Sequence, residues 1–191
     1  MKFNELITLL EMPLMIDPID IEDRDANDYF NKYNNYQKVE EFRAGKEMIG
    51  VYIHTSTLRV RNKIYSLVIN NTKIATYSGE EVKDGITTVM VNSYGKKYNL
   101  KGLMYYFYIY FLMKKYAFVL SDDALTEKAF KFWYSNFDNF INQGFKISVA
   151  EYDHKNVKEG KLLNSKEELK EYYGSLVTKP LAAKVRYMLS K

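Results

Sequence analysis

Leu103 to Met113 is an unbroken run of eleven apolar or aromatic residues, LMYYFYIYFLM. A bilayer-spanning helix needs about 20 such residues, so this run is too short to cross a membrane. The run predicts a helix over 100–116 inside a folded domain. A helix without a polar face must be covered nearly all round. Its neighbours indicate what covers it. A strand is expected at 86–91 before it, and after it come a strand at 117–120, a helix at 124–142 and a strand at 145–152. Strand, helix and strand in succession form a parallel crossover, so a mixed sheet with helices on both faces is expected.

The segments upstream carry the rest of that sheet. MIGVYIHTS and IYSLVIN are rich in β-branched and aromatic residues, and Asn70-Asn71 followed by TKIATYS has the signature of a hairpin. With a loop at Lys83 to Gly85, this predicts an antiparallel meander of about four strands. Residues 26–45 fit a polar helix whose apolar members are Phe30, Tyr33, Val39 and Phe42, closed by Gly45. Residues 1–12 fit a short helix with Phe3, Leu6, Ile7 and Leu10 on one face, followed by an acidic extended segment with Pro13 and Pro18. The helix at 124–142 is expected to start on Asp122 or Asp123 and to end at Gly144. Ser165 with Glu168 forms a capping box for a helix at 165–174, and Pro180 opens a last helix at 180–189.

Composition narrows the chemistry. With 191 residues and 47% apolar content the chain can bury a full core without disulfides, and it has no cysteine for a disulfide, a thiolate site or a cysteine nucleophile. The net charge of +4 is spread in short pairs such as Arg59 with Arg61, Lys96 with Lys97 and Lys114 with Lys115, not in the concentrated basic face of a nucleic-acid binder. His54 and His154 lack the spacing of a metal pair, and the acidic stretch Asp17–Asp28 lacks the glycine and final Glu of a calcium loop. Phe130, Phe132, Trp133, Phe137 and Phe140 lie at core spacing on one helix. Ser121 and Asp122 stand at a strand end, where α/β folds place function, but Ser-Asp is read first as a helix cap. No signal peptide or transmembrane segment is expected. Abundant Lys, Asn, Tyr, Ile and Phe point to an AT-rich source.

The unit GITTVMVNS, YGKKYNLKG, LMYYFYIYFLMKKY, AFVLSDD and LTEKAFKFWYSNF resembles the central part of the GNAT acetyltransferases. The resemblance implies an α+β fold with a GNAT-like mixed twisted sheet of about six to seven strands and helices on both faces. In that family an R-x-x-G-x-G loop presents backbone N–H groups to the pyrophosphate of acetyl-CoA at a helix N-terminus. Carried over, the loop is Asn99, Leu100, Lys101, Gly102, Leu103 and Met104, in which only Gly102 keeps the glycine pattern. Tyr134 matches the family's helix-borne general acid. The stretch AFVLSDDALTEKAFKFWYSNF is further similar to GNAT-like proteins of tailed bacteriophages, through Ser121, Asp122, Thr126, Ala129 and Trp133, as is the opening MKFNEL.

The resemblance implies N-terminal helices and an acidic segment over 1–48, a GNAT-like core over 49–155 and a C-terminal helical extension over 156–191. With most of the loop's pattern replaced, the expectation is a non-catalytic or weakly catalytic protein without a cofactor. It would work through a protein partner of the host or the virion, as an accessory or internal virion protein or an inhibitor of host machinery. Its place would be the host cytoplasm or the virion. The alternative is an active N-acetyltransferase that uses acetyl-CoA on an amine of a protein or small molecule.

Overall fold

A computed structural model describes residues 35–70, 72–93, 102–122, 126–153, 156–178 and 185–191. It is an α+β fold on one nine-stranded mixed sheet. Five strands come first: β1 (Tyr36–Ala44), β2 (Glu47–His54), β3 (Asn62–Ile69), β4 (Thr72–Val82) and β5 (Gly85–Ser93). They form an antiparallel meander. Helix α1 follows, built from an α-helical turn Leu103–Phe107, a π-helical turn Tyr108–Leu112 and a last piece Met113–Lys115. Then come β6 (Phe118–Leu120), α2 (Glu127–Asn142), β7 (Lys146–Tyr152), β8 (Val157–Leu162), α3 (Lys166–Thr178) and β9 (Val185–Ser190). The spatial order is β1-β2-β3-β4-β5-β6-β9-β7-β8. The sheet therefore exceeds the six to seven strands expected.

Two corrections account for most of the difference. The segment expected to end as a helix at Gly45 is strand β1 from Tyr36 onward. Its buried side chains are Phe42 and Ala44, two apart, with Arg43 turned out. Val39, counted earlier as part of a helical stripe, sits at a bulge between Lys38 and Glu40 and is exposed. Gly45 has φ +62° and closes a tight turn into β2, a conformation that favours glycine. The helix expected at 180–189 is instead strand β9 from Val185. It lies between β6 and β7 and is buried on both faces, so it lacks the alternation that marks a half-exposed strand. Strand β8 was not expected; it is an edge strand with an exposed, charged sequence, VKEGKL. Residues 1–12 and the acidic segment lie outside the described residues.

Other boundaries follow local chemistry. Asn70 (φ 45°) and Asp84 (φ 64°) turn the hairpins on either side of β4. Thr126, rather than Asp122 or Asp123, caps α2, accepting a hydrogen bond from the Ala129 N–H at 3.2 Å. Ser165 caps α3 by accepting from the Glu168 N–H at 3.2 Å. Glu168 accepts from the Asn164 N–H at 2.8 Å, one residue beyond the Ser165 N–H that a capping box would use. No described helix is long and apolar enough to cross a membrane.

The three helices share one large core with one face of the sheet. Phe107, fully buried, lies at its centre, with ring centroids 6.3 Å from Phe42, 6.3 Å from Tyr65, 5.3 Å from Tyr77 and 5.2 Å from Phe111. Trp133 joins α2 to α1 and β9, 6.0 Å from Tyr108 and 5.9 Å from Tyr187. The aromatic residues of α2 thus build core, as their spacing suggested, with Trp133, Phe137 and Phe140 buried. The opposite face carries a small cluster of Leu120, Ala150, Tyr152 and Met188, drawn from strands alone. Among the described residues the helices therefore contribute to one face.

Phe107→Ala removes the ring that ties α1 to the meander. The expected loss is about 3–5 kcal/mol of stability, read as a lower midpoint in guanidinium unfolding with an unchanged slope.

Candidate functional site

The parallel pairing of β5 and β6 is three residues long: Gly85 with Phe118, Ile86 with Val119 and Thr87 with Leu120. Beyond it the strands part. β5 continues to Ser93 along β4, and a bulge at Val89, between the pairs Gly79–Thr88 and Ser78–Met90, bends it there. The chain after β6 instead follows β9. The Ser121 N–H donates to the Tyr187 carbonyl at 2.8 Å, and the Ser121 hydroxyl accepts from the Tyr187 N–H at 3.0 Å. Ser121 is therefore an anchor to β9, not a helix cap.

Polar side chains fill both sides of the point of divergence. On the helix face the Thr88 hydroxyl is hydrogen-bonded to Tyr77 at 3.2 Å and to Tyr108 at 3.0 Å. All three residues are buried. Tyr108 opens the π-helical turn of α1, an irregularity often found at functional positions. Burial pushes the Tyr108 phenol up to about 12, and the nearby negative charge of Asp122 adds to the rise. Tyr77 is likewise pushed well above its ordinary value, by burial and then by Tyr108. Both phenols stay protonated at neutral pH and act as hydrogen-bonding groups, not as bases.

On the other face, buried Arg186 donates to the Thr87 hydroxyl at 2.6 Å and to the Ser121 carbonyl at 3.2 Å. Its guanidinium stacks 4.7 Å from the Tyr152 ring. One side chain of β9 thereby binds the last paired residue of β5 to the first residue after β6. The guanidinium's several fixed donors suit a junction of three strands.

A second polar cluster lies at the far end of α1. Tyr116 donates to Glu81 at 2.6 Å and is hydrogen-bonded to Tyr65 at 3.1 Å. Lys115 donates to Tyr65 at 2.8 Å, and buried Lys63 pairs with Glu81 at 3.2 Å while donating to the Thr57 and Leu58 carbonyls. Each buried polar head here has partners, as a low-dielectric interior requires.

The expected site residues are not gathered in one place. Asn99, Leu100 and Lys101 lie outside the described residues. Gly102 is exposed with φ +80°, and its carbonyl accepts from the Tyr106 N–H at 3.0 Å, so it turns the chain into α1. Leu103 is buried, and Met104 packs against the main core. Tyr134 is exposed on α2, 5.6 Å from Phe130 and 5.7 Å from the Lys166 ammonium, on the side facing α3. His54 is hydrogen-bonded to Ser56 at 2.7 Å, and burial, then Lys73, lowers its pKa. His154 is outside the described residues. Among the described residues no group of three His, Cys, Asp or Glu side chains is placed to hold a metal ion.

Tyr77, Thr88, Tyr108 and Arg186 did not stand out in the sequence as a group. The available signal was the phenols inside the most apolar helix, since a buried Tyr hydroxyl needs a partner. Arg186 was hidden by the helix expected around it. Against known proteins, the chain matches no family model, no curated protein and no solved structure.

A group whose folded pKa is raised contributes stability that is complete below its unfolded pKa and is lost as pH rises to the folded value. For Tyr108 that window runs from the ordinary 10.0 to about 12. Stability should fall across this range, with less of a fall in Tyr108→Phe, as read by denaturation midpoints at each pH.

Proposed function

We propose that this chain is a GNAT-like protein that acts through contacts with another protein, with acyl transfer absent or weak. The fold part of this reading is supported by the β5–α1–β6 crossover, the bulge at Val89 and the divergence of β5 from β6. A short parallel pair that opens in this way leaves space between the strands, and acetyl transfer in the family it resembles needs such a slot for the pantetheine arm.

The observation that carries the contact reading is the outward face of α1. Tyr106 and Tyr110 stack there with centroids 5.9 Å apart and planes 6° from parallel, and Tyr105 abuts Tyr106 at 5.6 Å. Tyr110 is 39% exposed. A crossover helix facing solvent would ordinarily present charged residues. Tyrosine is instead a residue of interfaces: it offers large apolar area with a polar tip and few rotamers to immobilise. The partner proposed is a protein of the virion or of the host cell, and the phage resemblance favours both over a small metabolite. Met104 packed against the core and Gly102 serving as a turn support a loop kept for its shape more than for phosphate.

The divergence of the strands favours one second reading, an acetyl-CoA-dependent N-acetyltransferase with the loop Asn99–Met104 and Tyr134 as general acid. Calorimetric titration with acetyl-CoA separates the two. The contact reading expects no binding in the micromolar range, and no difference between wild type and Gly102→Glu. Micromolar binding that Gly102→Glu abolishes, with amine acetylation slowed by Tyr134→Phe, would replace it with the second reading. For the contact surface itself, the double variant Tyr106→Ser, Tyr110→Ser should keep the wild-type melting temperature to within about 3 °C and lose whatever virion or host protein the intact chain binds in a pull-down; equal capture by both chains would count against this surface.

A further inference from the structure

A cavity of about 480 Å³ opens at the end of the sheet where β6 begins. Beside Glu159, its lining includes four lysines, Lys114, Lys115, Lys146 and Lys191, the last offset by its own α-carboxylate. They come from three elements: the last turn of α1, the start of β7 and the residue after β9. Phe118, Ser190 and Lys146 form one cross-strand row over β6, β9 and β7, so the spacing between these side chains is set by sheet register, not by loop conformation. Phe118 and Met188 supply an apolar floor.

The charges here are unbalanced. Lys115 is committed to Tyr65 and Glu81. Among the described residues no ion pair joins Lys114, Lys146 or Lys191 to a carboxylate, as is also true of Lys46, Lys83, Lys128, Lys158 and Lys170; what sets Lys114 and Lys146 apart is that they line one cavity. A lysine in the last turn of a helix offsets the helix dipole, which accounts for Lys114. It does not account for Lys146, which starts a strand on another element. Gathering like charges around a concave, partly apolar site costs free energy unless a counter-charge occupies it.

We propose that this cavity binds a small ligand with two or more linked phosphate groups, held by Lys114 and Lys146. Several ammonium groups on flexible stems act as point charges, and a compact polyanion satisfies them together where a single carboxylate would satisfy one. The volume falls within the range of small-molecule sites, about 300–1,000 Å³. The apolar floor has room for the organic part of a nucleotide, while the phosphate chemistry is common to nucleotides and inorganic polyphosphate. The site stands at the opposite end of α1 from Gly102, about 20 Å along the helix. It is thus far from the turn at Gly102, where the resemblance would place the pyrophosphate of acetyl-CoA.

The test is calorimetry of the full chain with inorganic tripolyphosphate and, separately, with ATP, at low and at physiological salt. The expected result is saturable binding of at least one of them, weakened by salt. The double variant Lys114→Glu, Lys146→Glu should weaken it by at least about tenfold. Lys128→Glu, an exposed lysine on α2, should leave it unchanged. Tighter binding of ATP than of tripolyphosphate assigns a nucleotide; equal binding assigns the phosphate chain alone. No binding of either ligand, or equal loss in Lys128→Glu and the double variant, overturns the proposal. Lys114 and Lys146 are exposed, and an unchanged far-ultraviolet circular dichroism spectrum confirms that the variants are folded.

Discussion

Three residues of β6, Phe118–Leu120, hold the two halves of the sheet together. They pair in parallel with β5 on one side and antiparallel with β9 on the other. The meander β1–β5 stands on one side of them and the group β9, β7 and β8 on the other. So short a link supplies few backbone hydrogen bonds, and side chains reinforce it. Val119 and Leu120 are fully buried, on opposite faces of the sheet. Arg186 crosses the junction from β9 to Thr87, and Ser121 returns two hydrogen bonds to Tyr187. The divergence of β5 from β6 follows from this arrangement. After Leu120 the chain keeps β9 as its partner, and the bulge at Val89 bends β5 away.

The parallel contact also dictates the position of α1. Parallel neighbours require a crossover, and that crossover carries the most apolar segment of the chain over the meander. Its seven buried residues between Leu103 and Met113 meet Phe42, Tyr65 and Tyr77 below and Phe132 and Trp133 beside them. Tyrosine lets one residue type serve three environments on the same helix. Tyr108 is buried and hydrogen-bonded to Thr88, Tyr105 lies over Phe140 with its hydroxyl donating to the Asn139 carbonyl, and Tyr110 faces outward. The π-helical turn at 108–112 shifts these facings relative to a regular helix.

Much of the element order was legible because it rests on local pattern. The strands at 47–54, 62–69 and 72–82 are β-branched and aromatic between turn residues, α1 is one continuous apolar run, and α2 and α3 start at capping residues. The failures have physical causes. β1 is an edge strand with mostly exposed polar residues, so its sequence carries little alternation beyond Phe42 and Ala44. β9 is buried on both faces, and a short apolar run of that kind suits a helix or a strand until its neighbours are known. The candidate site was less legible. Gly102 does mark the turn into α1, but Tyr77, Thr88, Tyr108 and Arg186 are far apart in sequence and meet only through strand register and crossover packing.

The burial of α1, the meander before it and the absence of cysteine chemistry could all be read from the residues in order. These follow from composition and short-range periodicity, which act over a few residues. The place of β9 between β6 and β7, the parting of β5 and β6 after Thr87 and Leu120, and the meeting of Lys114 and Lys146 at one cavity arise from the assembled fold. Those outcomes depend on hydrogen-bond partners and charges brought together from distant parts of the chain, and their energies exist only once the strands are paired.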